Sequence, residues 1–202
     1  MRTAAFALVL ALAAVPASAQ MPKEPPGKAD VSRIVAGDYA IEPQHTQVRF
    51  TVMHLGFTPY SGFFSGASGS LSIDPAKPDS AKVSIEVPVG SVWVTVPKLT
   101  EELRSPMFFD PARYPTMKFV SDHVVVHGTH ATISGQLTMH GQTHPLTLEA
   151  SFVGAGAMMG KRTVGFTATG TLNRSDYGIK TGVPLVSDEV KIDIAAAFER
   201  PE

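Results

Sequence analysis

From Thr46 to His54 the side chains alternate without a break: Thr46, Val48, Phe50, Val52 and His54 point one way, Gln47, Arg49, Thr51 and Met53 the other. A helix cannot hold a two-residue period, so this stretch has to be a strand with one apolar face. The rhythm recurs downstream. Val83, Ile85, Val87 and Val89 share a face, as do Ala131, Ile133, Gly135, Leu137 and Met139, then Leu146, Leu148, Ala150 and Phe152. Val164, Phe166, Ala168, Gly170 and Leu172 continue it, and Val190, Ile192, Ile194, Ala196 and Phe198 end it. Whatever that common face encloses is the first place to look for function.

The expected strands are an opening one over residues 37–54, a turn rich in Gly, Pro and Ser, then strands over 63–73 and 82–89. In the second, Phe63, Ala67, Leu71 and Ile73 are expected to share a face, with Gly66 and Gly69 bending its course. The alternation then stops. Residues 92–96 stay extended, and PKLTEELR (97–104) reads as a short helix with Pro97 in its first turn. Ser105 is placed to cap a second turn carrying Met107, Phe108 and Phe109. Five more strands follow from Pro115, carrying first Met117, Phe119, Val124 and Val126, then the four faces given above from Ala131 onward. Gly128-Thr129 and residues 140–144 are expected as turns, and GAGAMMG (154–160) as a flexible loop. The fold class is all-β: about eight antiparallel strands with a short helical insertion between the third and fourth. A closed barrel and a two-sheet sandwich share this pattern.

The first residues read as an address. Met1-Arg2 is a short positive start, residues 4–15 are apolar, and Ala17-Ser18-Ala19 is a small-x-small cleavage site. Residues 1–19 are expected to be a signal peptide, too short to span a bilayer stably, with Gln20 beginning the mature chain. Residues 20–36, proline-rich and charged, are expected to be a flexible leader. The chain has no cysteine, which fits a bacterial periplasm better than a small disulfide-bonded secreted scaffold. Cleavage leaves about 183 of the 202 residues, and losing Arg2 takes the formal charge from −1 to −2. With no basic run, nucleic acid is not an expected partner.

Four blocks of the sequence resemble the YceI family of bacterial periplasmic proteins: YAIEPQHTQVRFTVMHLG (39–56), LRSPMFFDPARYPTMKF (103–119), GQLTMHGQTHPLTL (135–148) and NRSDYG (173–178) followed by SDEVKIDI. The resemblance covers residues 39–198. It implies a lipocalin-like barrel over 37–202 that binds polyisoprenoid or related lipids, with neither cofactor nor stable membrane insertion; a homodimer is compatible with it. Where the family often carries Asp and His before the second block, this chain has Thr100 and Glu102. Glu42 and Thr46 stand where the family commonly has Asp and Ser.

The inward face could form a solid core; the resemblance implies a ligand tunnel instead. Its expected walls are Val48, Phe50, Val52, His54, Phe63, Leu71, Val83, Ile85, Phe108, Phe119, Leu137, Phe166 and Ile192, with the lipid head group at a mouth beside the helical insertion. His54, the one polar group on its face, would touch that head group or serve as a satisfied structural histidine. His123, His127 and His130 lie close together, but no carboxylate or cysteine at ligand spacing completes a metal set, and they read as surface residues. Arg174 and Asp176 read as an internal ion pair, with head-group contact by Arg174 as the alternative. No nucleophile elbow, phosphate loop or dinucleotide fingerprint occurs, so no catalysis is expected. The rival reading is an enzyme on a small lipophilic substrate, with His54 as acid–base.

Overall fold

The computed structural model describes residues 23–202; the expected signal peptide and its cleavage site lie outside them. Ten strands are formed: β1 (Gly37–Ile41), β2 (Gln47–His54), β3 (Thr58–Phe64), β4 (Ser68–Ile73), β5 (Lys82–Pro88), β6 (Thr116–His127), β7 (His130–Met139), β8 (Gln142–Met158), β9 (Lys161–Asn173) and β10 (Glu189–Pro201). One helix, α1 (Pro97–Leu103), interrupts them between β5 and β6.

The ten strands make eight staves. β1 and β2 both pair with β10, through Ile41↔Phe198 and Val48↔Ile194, so they are one strand broken by a bend. β3 and β4 pair with β2 and β1 respectively and form a second bent strand. The remaining strands pair in sequence order, and β1 closes onto β10. The result is the closed eight-stranded antiparallel barrel expected from the sequence.

The first bend is built by local chemistry. The Glu42 carboxylate accepts from the Gln44 and His45 backbone N–H groups (3.0 and 2.8 Å) and contacts His45 Nδ1 at 2.6 Å. Glu42 N–H donates to Ala197 O, and Ala197 N–H donates to the Thr46 hydroxyl, which sews the bend to β10. Burial pushes the Glu42 carboxyl up, but the donors at Gln44 and His45 outweigh it and hold it below its ordinary range. The second bend needs Gly69, at φ 132°, where a Cβ would run into the Ser84 carbonyl of β5.

Two boundaries differ from expectation. β3 begins at Thr58, because Leu55 and Gly56 both take left-handed conformations and close the hairpin within three residues. The glycine-rich stretch after Phe152 is not a loop: β8 continues to Met158 and turns at Met159-Gly160. Its small residues admit the N-terminal segment, since Lys28 and Ala155 exchange backbone hydrogen bonds of 3.1 and 3.0 Å, and a Cβ on Gly156 would strike the Pro26 carbonyl. Residues 28–34 therefore dock on β8 where β7 has ended, and Val31–Arg33 form a 3₁₀ turn capped by Asp30.

Most outward positions are polar, with apolar exceptions such as Val120 and Val153. Thr132, Gln136 and Thr138 alternate with the inner face of β7, and outside β10 Asp193 pairs with Arg49 across the β2 seam at 3.0 Å. A barrel that crosses lipid has the opposite arrangement, apolar outside. Among the described residues no helix is long and apolar enough to cross a membrane.

Candidate functional site

The inward faces do not meet in the middle. They enclose a cavity of about 780 Å³ running the length of the barrel. Residue size explains the space: Ala131, Ala150 and Ala168 sit side by side across β7, β8 and β9, where a solid core would need large side chains. Val48, Phe50, Val52, Val83, Ile85, Phe166 and Ile192 point inward yet keep solvent-accessible surface, and all of them line the void.

Eleven of the thirteen expected wall residues do line it: Val48, Phe50, Val52, Leu71, Val83, Ile85, Phe108, Phe119, Leu137, Phe166 and Ile192. Two do not. Phe63 faces outward and stacks on Trp93, ring centroids 4.9 Å apart, while the two backbones exchange hydrogen bonds of 3.0 Å. The bend after Phe64 shifts the parity of this stave, so the inward residue is Phe64, only 4% exposed. Phe64 packs with Phe50 and Phe109 at centroid distances of 5.5 and 5.2 Å. The signal for it is the hairpin register, which runs from His54 opposite Thr58 to Val48 opposite Phe64.

His54 keeps the inward parity but stands above the rim, exposed at the hairpin end opposite Thr58. Alternation gives a direction, not a depth. His54 is not among the residues that line the cavity.

The two ends of the cavity differ. At one end Leu103, Phe108 and Phe109 of the insertion, with Ile179 and Val186, cover it, and none of these is exposed. The exposed lining residues all lie at the other end: Val31 and Ser32 of the docked segment, Pro75 and Pro78 between β4 and β5, and Gly128, Thr129 and His130 at the β6–β7 turn. The mouth is thus opposite the helical insertion, not beside it. The insertion is a lid. Thr100 holds its base, its hydroxyl accepting from Val94 N–H at 3.0 Å and donating to Val94 O at 3.2 Å.

At the closed end lies the lining's one Lys or Arg side chain. Arg174 is 7% exposed and makes no ion pair among the described residues; the expected partner, Asp176, is exposed. Its guanidinium instead donates to four carbonyls: Ser187 (2.9 Å), Ile179 (3.1 Å), Thr181 (2.7 Å) and Val186 (2.8 Å). These fix the 179–187 loop over the barrel end. Burial lowers the Arg174 pKa, partly offset by the Asp188 charge nearby. Asp188 is engaged by Ser175, accepting from its hydroxyl at 2.6 Å and its backbone N–H at 2.8 Å. Tyr177, beside this loop, is buried, and burial pushes its hydroxyl up to about 12.

No group of three or more metal-ligating side chains occurs among the described residues. His127 and His130 face each other across the β6–β7 turn, and His130 Nδ1 lies 2.9 Å from the Ser151 hydroxyl.

A YceI-like domain model matches residues 39–198. Relatives include UPF0312 proteins of Pseudomonas putida and Pseudomonas syringae pv. syringae, each 38% identical over 165 residues, which span 80% of this chain and 85% of theirs. Burkholderia cenocepacia BcnA superposes with a TM-score of 0.68 at 22% identity, covering 78% of this chain and 98% of that one. A Campylobacter jejuni YceI protein gives 0.65 at 25% identity, with 74% and 90% covered. A polyisoprenoid-binding domain from Saccharophagus degradans, implicated in plant cell wall breakdown, gives 0.61 at 14% identity, with 81% and 98% covered.

Proposed function

This chain belongs to the YceI-like family, and we propose that it binds a long-chain isoprenoid or related amphiphilic lipid inside its barrel, without catalysis, in the bacterial periplasm. The observation that carries this reading is the continuous apolar cavity. At about 780 Å³ it falls in the upper part of the usual 300–1,000 Å³ range for small-molecule sites. A chain lipid gains roughly 0.8 kcal/mol per buried methylene before the costs of association, so apolar walls alone can hold it. β10 runs 13 residues, about 40 Å along the strand and about 30 Å along an axis tilted by ~40°, which suits an elongated ligand. The Saccharophagus domain, with the same fold, is described as polyisoprenoid-binding, which supports the ligand class.

Export rests on the sequence of residues 1–19, and N-terminal sequencing of the periplasmic protein should read from Gln20. For binding, the test is to fill the void. Ala168→Phe places an aromatic ring in the row of small residues and should lower uptake of a labelled prenyl lipid at least tenfold while the far-ultraviolet spectrum stays unchanged. Thr169→Gln, one residue away and facing outward, should leave uptake intact. Equal uptake by both variants would put the ligand somewhere other than the barrel interior.

A further inference from the structure

The cavity wall is mostly apolar: its polar side chains are Thr46 partway along, Ser32, Thr129 and His130 at the mouth, and Arg174 at the closed end. Arg174 lies at that closed end, within a lining that holds no other Lys, Arg, Asp or Glu. A guanidinium carries five N–H donors, and four carbonyl contacts leave one unassigned. The carbonyls solvate the cation but do not neutralise it. Asp188, whose charge acts on Arg174 from nearby, is hydrogen-bonded to Ser175 and makes no direct ion pair with the guanidinium. A positive charge is therefore kept under a lid at the far end of a mostly apolar tube, where water screens it least.

The geometry points to a ligand that enters head first: a single-chain lipid with an anionic head, carboxylate or phosphate, whose head lies at Arg174 and whose tail runs back to the mouth between Val31, Pro78 and Thr129. This rests on the barrel being a lipid site and adds the class and orientation of the lipid. It also reverses the expectation of a head group left at the opening. Guanidinium groups bind carboxylate and phosphate through charge-assisted hydrogen bonds, which strengthen as water is excluded. A hydrocarbon end in the same place would bring the carbonyl-solvated cation no counter-charge and its fifth N–H no acceptor.

The test uses the intact mature protein, stripped of lipid, because replacing Arg174 would also release the 179–187 loop. Octadecanoate, octadecyl phosphate and octadecanol share a chain and differ in the head. Both anions should bind at least tenfold more tightly than the alcohol, and the tighter anion identifies the head chemistry. Orientation is read from Trp93, the single tryptophan, which sits on the insertion side of the barrel. A nitroxide near the carboxylate, in 5-doxyl stearate, should quench it more than one near the tail, in 16-doxyl stearate. Alcohol binding within twofold of the anions, or stronger quenching from the tail label, would overturn the head-first arrangement while leaving lipid binding in place. Failure of all three compounds and of a prenyl lipid to bind would overturn both.

Discussion

At the scale of single residues, Arg174 carries the most structure for its size. Arg174→Met would leave four carbonyls of the 179–187 loop without their donor. The expected loss is about 3 kcal/mol, seen as a lower urea midpoint at unchanged slope. A loss below about 1 kcal/mol would mean that water replaces the guanidinium easily. Beside it, the Ser175 hydroxyl and then its backbone N–H hold the Asp188 carboxyl below its ordinary 3.8, against the opposing effect of burial. The unfolded chain binds this proton more readily than the folded one, so the contribution is complete above about pH 4 and is lost as pH falls through the lower folded value. Ser175→Ala should weaken this acid dependence, measured as the change in urea midpoint between pH 5 and pH 3. An unchanged slope would separate Asp188 from acid stability. Neither role was legible in the sequence. A basic and an acidic residue two apart in NRSDYG suggest a pair, and only the tertiary path of residues 179–188 shows that each has other partners.

At the scale of elements, the sequence was most readable where strands are simple. The inner faces of β5 and β7 through β10 follow from alternation alone, because one face is buried and the period is two. Readability failed at the bends. The step between β3 and β4 moved Phe64 inward and Phe63 outward, and the small residues of β8 looked like a loop because their purpose is to admit another backbone. The blocks that carry the family resemblance are largely structural: Glu42, His45 and Thr46 make a bend, and Arg104 donates to Val92 O to seat the lid. Thr100 has a role of the same kind. Thr100→Val removes both of its bonds to Val94 and should cost about 1–2 kcal/mol, with faster hydrogen exchange confined to residues 92–104. Faster exchange throughout the barrel would show instead that the lid and the staves unfold together.

At the scale of the whole molecule, a closed polar-faced barrel surrounds an apolar void with one covered end and one open end. That is an arrangement for holding a guest. The barrel was expected from the strand count and the family blocks, but not which end was open, since no local pattern records where a covering loop lands. A small-residue row such as Ala131, Ala150 and Ala168 was visible in the sequence, though only the strand register shows that it leaves space instead of a tight seam. A lipid that fills an apolar cavity of this size gains a large amount of packing. The most direct measurement is native mass spectrometry of the protein purified from the periplasm without detergent, followed by release of the adduct. The account predicts one long-chain lipid per barrel. Protein that is empty in repeated preparations, and that takes up no labelled prenyl lipid when offered it, would contradict it.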